Sequence, residues 1–152
     1  ALEGQIFTHK REKNILTSIR LEEMLHEKYE SISMDKKLKD LIEIVKRSEK
    51  NIFAVVDSKG RFAGIIELND IKQRLFQSEQ FDKVFIRSIM KKPPGVLRVN
   101  EDMHSVMEKF DITQSWYLPV LDKDRKFAGF ISKTKLFNKY REILASHGDL
   151  YE

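Results

Sequence analysis

The chain has 152 residues, of which 41% are hydrophobic and 34% charged, with a net charge of +4 and no cysteine. That balance suits folded domains and not a disordered chain, and no apolar run approaches the ~18–20 residues of a membrane-crossing helix. Disulfides, thiolate metal sites and cysteine nucleophiles are excluded, and the interleaved charges match solvated helix faces better than a stripe for nucleic acid.

In chain order, residues 1–23 form a linker, and Ala1–Ile19 within it shows little periodicity, as expected of a segment on the surface or partly disordered. An extended segment is predicted at Tyr29–Ser33, followed by Asp35 as a helix N-cap, since its carboxylate can accept from free amides. Leu38, Leu41, Ile42 and Val45 then recur at helical spacing and define one apolar face of a helix ending near Ser48. Two strand patterns follow, "IFAVVD" and "FAGIIEL", joined by a turn in which Gly60 is free to take a positive φ. "DIKQRLFQ" closes this first unit as a helix, and a short polar link covers 78–83.

Pro93-Pro94-Gly95 punctuates the entry to a second unit, with "GVLRV" extended and Asn100 as the helix cap. Met103, Val106, Met107 and Phe110 repeat the helical spacing to Thr113, "YLPVLD" and "FAGFIS" repeat the strands, and "TKLFNKYREIL" closes as a helix. Asp124 is placed where Gly60 stood, a residue that tolerates positive φ less well.

The two units are copies. A shift of 65 positions, the spacing from Gly64 to Gly129, lays Asp57 on Asp122, Phe62 on Phe127 and Ile66 on Ile131 without a gap. Each reads β-α-β-β-α, so the fold class is α+β, with units at 24–83 and 84–145 and a tail at 146–152. Helices on one side of a three-stranded sheet leave its other side in need of a partner. Two copies supply that partner to each other about a pseudo-twofold axis, with a cleft on either side. Gly64 and Gly129, inside strand patterns, mark a bulge, tight packing or a close backbone approach by a ligand or the other sheet.

The patterns "FAVVDSKGRFAGIIELND" and "YLPVLDKDRKFAGFISKTKL", with the lead-in "IRSIMKKPPGVLRV", resemble the halves of a CBS-domain pair, or Bateman module, over roughly Met24 to Leu144. "GQIFTHKREKNILTSI", "RSEKNIFAVVD" and "QSWYLPVLDKDRKFAGFISKTKLFNKYRE" further resemble the cytoplasmic C-terminal region of CLC chloride channels and proton-coupled chloride transporters. That resemblance implies a regulatory domain on the cytoplasmic side of a membrane, following a chloride-transporting domain of the same chain. A regulatory pair of another transporter, a free-standing regulator and a ligand-free dimerisation module are the alternatives.

The family resemblance also implies an adenine nucleotide (ATP, ADP or AMP) as ligand, held by a Ser or Thr and, three residues on, an Asp. Here that signature is split. Asp70 keeps the carboxylate behind Glu67, whereas Ser132 keeps the hydroxyl and Lys135 stands at the carboxylate position, where it cannot accept a hydrogen bond. Asp70 reads equally as a first-turn acid on a helix dipole, and Lys133 and Lys135 as solvated cations. Tyr29, Trp116 and Tyr117 are candidates for stacking on a base, with burial as the competing role. No histidine pair has ligand spacing, so no metal site is expected, and no enzyme motif stands out. Leu75, Phe76, Phe81, Leu136, Phe137 and Tyr140 exceed what one thin helix-sheet contact needs, which predicts a homodimer.

Overall fold

Each hairpin turns on one aspartate. In the computed structural model, which describes residues 19–151, Asp57 Oδ1 accepts from the amides of Lys59 and Arg61, both at 2.9 Å. Asp122 Oδ1 accepts from Asp124 and Lys126 at 2.8 and 3.0 Å. These turns join β2 (Ile52–Val56) to β3 (Phe62–Glu67) and β5 (Tyr117–Leu121) to β6 (Phe127–Ser132). Gly60 takes a φ of +80° as expected, but the matching residue is Arg125, at +64°, and not Asp124. The repeat step from Gly60 lands on Arg125, one position beyond Asp124.

β1 (Ser31–Ser33) lies parallel to β2, which is antiparallel to β3, giving the order β1-β2-β3. β4 (Leu97–Arg98), β5 and β6 repeat the arrangement. Even the irregularity is copied: the register slips between Val55 and Val56 and again between Val120 and Leu121, with Gly64 and Gly129 paired just before the slip. This is the bulge that a strand glycine signals.

The helices are α1 (Leu38–Arg47), the one-turn α2 (Ile86–Ile89), α3 (Met103–Thr113) and α4 (Lys133–Tyr151). Neither expected cap residue caps. Asp35 and Asn100 sit instead within turns closed by Lys36 N–H to Ser33 O at 3.1 Å and Glu101 N–H to Arg98 O at 3.0 Å. Asp and Asn favour such turns for the same reason that they favour caps: a short acceptor next to free amides. α3 is capped by Asp102, which accepts from the Ser105 amide at 2.9 Å. At α1 the Asp40 carboxylate reaches back to the Lys37 amide at 3.0 Å. The first closing helix is also different. It is 3-10 over Leu68–Phe76, followed by a 3-10 turn at Ser78–Gln80, whereas α4 is a long α-helix reaching Tyr151. Asn69 and Asp70, which compete with the backbone for hydrogen bonds, occupy the first turn of the 3-10 segment.

The cores cross over. A 3-10 turn at Leu21–Met24 puts Leu21, with Ile19 before it, among Leu97, Phe110, Leu118 and Leu136 of the second unit. α2, which leads into the second unit, puts Ile86 among Leu38, Phe53 and Ile66 of the first. Each lead-in therefore fills the other copy's core. Gly64 and Gly129 meet the crossing segments: a Cβ on Gly64 would lie 2.9 Å from the Lys91 carbonyl oxygen, and one on Gly129 3.0 Å from Leu25 Cδ2. Ile19 is thus core, unlike the surface segment expected over Ala1–Ile19, and so is Leu21 within the linker expected over 1–23; the expectation for residues 1–18 lies outside the described residues.

A third cluster joins the two sheets. Ile52, Ala54, Ile65 and Phe130 are buried together, flanked by Tyr29, Phe62 and Phe127. The Phe62 and Phe127 rings stack at 6.4 Å, and the Phe62 amide donates to the Arg125 carbonyl at 2.9 Å. Of the six residues read as surplus, Leu75, Phe81, Leu136, Phe137 and Tyr140 pack into the chain's own cores. Phe76 alone among them stands out, 83% exposed.

Candidate functional site

Pairing the halves leaves a cavity of about 840 Å³ at one end of the sheets. The first unit contributes Asn51 and Ile52 at the start of β2, Glu67 at the end of β3, and Leu68, Asn69, Lys72, Leu75 and Phe76 from the 3-10 segment. The second contributes Gln114–Tyr117, the loop from α3 into β5, whose reversal is set by Gln114 at a φ of +54°. Trp116, 67% exposed, is not buried against the first unit; its ring lies beneath Lys133 Nζ at 5.5 Å. A wall of Phe76, Trp116 and Tyr117 with polar groups from Asn51, Gln114 and Lys72 suits a planar apolar body bearing hydrogen-bonding edges.

Asp70 lies outside this cavity and borders a neighbouring depression of about 540 Å³ lined by polar side chains such as Asn69, Lys72 and Arg74. Its carboxylate is held by Lys91 at 2.5 Å, and Glu67 takes the same ammonium at 3.2 Å. The hydrogen bond that its ammonium donates to Asp70 is the main reason that Lys91 has a raised pKa. Lys91 is itself fixed by reciprocal backbone hydrogen bonds with Ile65, both 2.9 Å.

Tyr29, Ser132 and Lys135 lie at the same end of the sheets as the cavity, with Ser132 opposite Tyr117 in the β5–β6 register. The Tyr29 ring meets Phe130 edge-on at 5.1 Å, and its hydroxyl donates to Glu27 at 3.2 Å. Burial, and secondarily Tyr117, pushes the Tyr29 pKa up to about 12. Ser132 Oγ accepts from the Lys135 amide at 3.3 Å, closing the first turn of α4, while the Lys135 ammonium pairs with Glu27. The six candidates thus separate: Trp116 and Tyr117 at the cavity, Asp70 against Lys91, Tyr29 and Lys135 on Glu27, and Ser132 in the first turn of α4. Sequence reasoning missed Lys91, Glu27 and Lys50. The available signal was the reversal of charge at matched positions 70 and 135, each of which needed a partner elsewhere.

The duplicated β-α-β-β-α units, with sheets paired and lead-ins exchanged, match a known family. Its model, described as the CBS domain, fits residues 21–77 and again 86–142. The chain belongs to the CBS domain family. It is a CBS pair, a regulatory module by family. Solved structures share the fold. A CBS domain protein from Streptococcus pneumoniae TIGR4 superposes with a TM-score of 0.72 at 18% identity, covering 92% of this chain and 98% of that one. CbpB in complex with c-di-AMP gives 0.72 at 14% identity, over 93% and 97%. The CBS domain of the bacterial CNNM/CorC family Mg2+ transporter in complex with ATP gives 0.70 at 16%, over 90% and 96%. At these identities the likeness is one of fold. No curated protein matches the chain.

Proposed function

We propose that this CBS pair is the cytoplasmic regulatory region of a chloride channel or chloride/proton antiporter, controlling transport or assembly through the arrangement of its two halves. The observation that carries the reading is the crossed lead-in: the segment that the chloride-transporter resemblance places next to a membrane domain buries Ile19 and Leu21 in the second core. A ligand that prefers one arrangement of the halves then acts on that segment by shifting its population. The cavity that both halves line is the natural place for it, and an adenine compound fits its aromatic wall. Two structural relatives, the Mg2+ transporter domain with ATP and CbpB with c-di-AMP, were solved with such compounds. Reconstitution of the full-length chain in liposomes tests this. Chloride flux that changes with ATP, ADP or AMP is expected; no chloride flux at all discards the transporter assignment. Isothermal titration of the 152-residue chain with the three nucleotides tests the ligand separately, and no heat at millimolar concentration discards it.

A second reading, homodimerisation, is favoured by exposed Phe76, Ile112 and Trp116, at 83%, 71% and 67%. Exposed apolar groups of this size commonly meet another protein surface. Sedimentation at micromolar concentration is expected to give a dimer that Phe76→Ser weakens.

A further inference from the structure

Three donors converge on the carboxylate of Glu27, a residue of the first lead-in. Lys50 Nζ lies 3.0 Å from Oε2, the Tyr29 hydroxyl donates to the same oxygen at 3.2 Å, and Lys135 Nζ pairs with Oε1. The side chain of Glu27 is only 26% exposed. Lys50 is held in place from a second direction, its ammonium 4.6 Å from the Tyr29 ring centroid. With its pKa raised by burial, Tyr29 remains a donor throughout the neutral range. Two ammonium groups and a phenol about one carboxylate leave a positive charge in excess, and charge-assisted donors of this kind serve a phosphate oxygen as well as a carboxylate.

The corresponding place in the other copy is built with the signs reversed. There the matched position is Asp70, and its partner is Lys91 on the second lead-in. An anion finds a site there already supplied with two carboxylates, Glu67 and Asp70, around one ammonium.

Building on the regulatory reading above, we propose that Glu27 is a built-in occupant of an anion site formed by Lys50, Lys135 and Tyr29, and that a phosphate group competes with it. Displacement of Glu27 loosens the first lead-in, which two residues earlier is pressed against the β6 backbone at Gly129 through Leu25. The device is one-sided. Phosphate acts on the lead-in that docks in the second core and leaves the Lys91 latch closed. Because competition is reciprocal, a free lead-in also strengthens phosphate binding.

The test uses the 152-residue chain with inorganic phosphate, ATP and adenosine as probes, measured by isothermal titration for the natural sequence, Glu27→Gln and Lys135→Gln. Glu27→Gln is expected to bind phosphate and ATP about tenfold more tightly, the effect of one lost competing contact, whereas Lys135→Gln weakens both. Adenosine, which carries no phosphate, is expected to be indifferent to both substitutions. Hydrogen exchange of the natural chain is expected to rise at Leu21–Leu25 on saturation with phosphate or ATP, a readout that requires no variant to fold. The proposal is overturned if Glu27→Gln gains no affinity for either anion, if adenosine gains as much as ATP, if the lead-in amides are unmoved at saturation, or if no anion binds either form. Binding of phosphate without ATP supports this site while removing the nucleotide from the proposed function. Loss of the anion effect with chloride flux intact removes this site alone.

Discussion

Arg125 holds a left-handed backbone that an L side chain adopts at a cost of about 1 kcal/mol. Its carbonyl, not its side chain, receives the inter-sheet hydrogen bond from Phe62, so Arg125→Gly is expected to stabilise the chain by up to about 1 kcal/mol, visible as a higher Tm. Gly64→Ala goes the other way. Its Cβ would meet a carbonyl oxygen at 2.9 Å, which belongs to a hydrogen-bonded bridge and cannot simply yield. A loss of about 1–3 kcal/mol in denaturant unfolding is expected. Tyr29 supplies a pH signature. Its folded pKa, about 12, lies above the ordinary value of 10.0. The unfolded chain therefore gives up this proton first, and the stability the group contributes is complete below pH 10.0 and lost as pH rises towards about 12. Tyr29→Phe should remove that part of the alkaline decline, checked by urea unfolding across the window. At this scale the repeat register made Asp57, Asp122, Gly60 and both strand glycines legible. It did not reveal the ion pairs, because Lys91 and Glu27 are not matched to each other: the repeat equivalents are His26 and Lys92.

Among elements, the strands and the helices α1 and α3 were legible because burial imposes a period on their sequence. Leu38, Leu41 and Ile44 line one core, and Met103, Val106 and Phe110 the other. The caps were not, since turn and cap use the same side chains. The lead-ins were the larger omission. Leu21–Met24 and Ile86–Ile89 are too short to carry a period, and nothing local tells which sheet they will meet. Their weight is nonetheless large. Leu21→Ala removes a side chain that is 2% exposed, and a cost of about 2–5 kcal/mol is expected. Hydrogen exchange should place that loss in α3 and β5, far along the chain, and not in α1. Faster exchange in α1 instead would contradict the crossed core.

For the whole molecule, the two-sheet architecture followed from duplication alone, because a three-stranded sheet with helices on one face must find a second layer. The cavity takes one wall from the split signature, at Glu67, Leu68 and Asn69, although Asp70 lies outside it. It opens where Gln114–Tyr117 of one copy faces the 3-10 segment of the other, and that segment is not the helix its sequence suggested. Charge reverses between copies at the matched positions Asp70 and Lys135, while the hairpin aspartates and strand glycines stayed matched.

The exchanged lead-ins bear on ancestry. A lone ancestor of one unit would have carried a lead-in shaped for its sheet and, on the geometry seen now, seated it in another molecule's core. Such a protein would have been stable as a symmetric pair, each chain completing its twin. Fusion of two genes would then turn an intermolecular bond into an intramolecular one. Only after that could the two matched sites acquire opposite charge, since a symmetric pair must bear the same residue at both. The sign difference between Asp70 and Lys135 is, on this view, a mark of the time since the copies ceased to be identical.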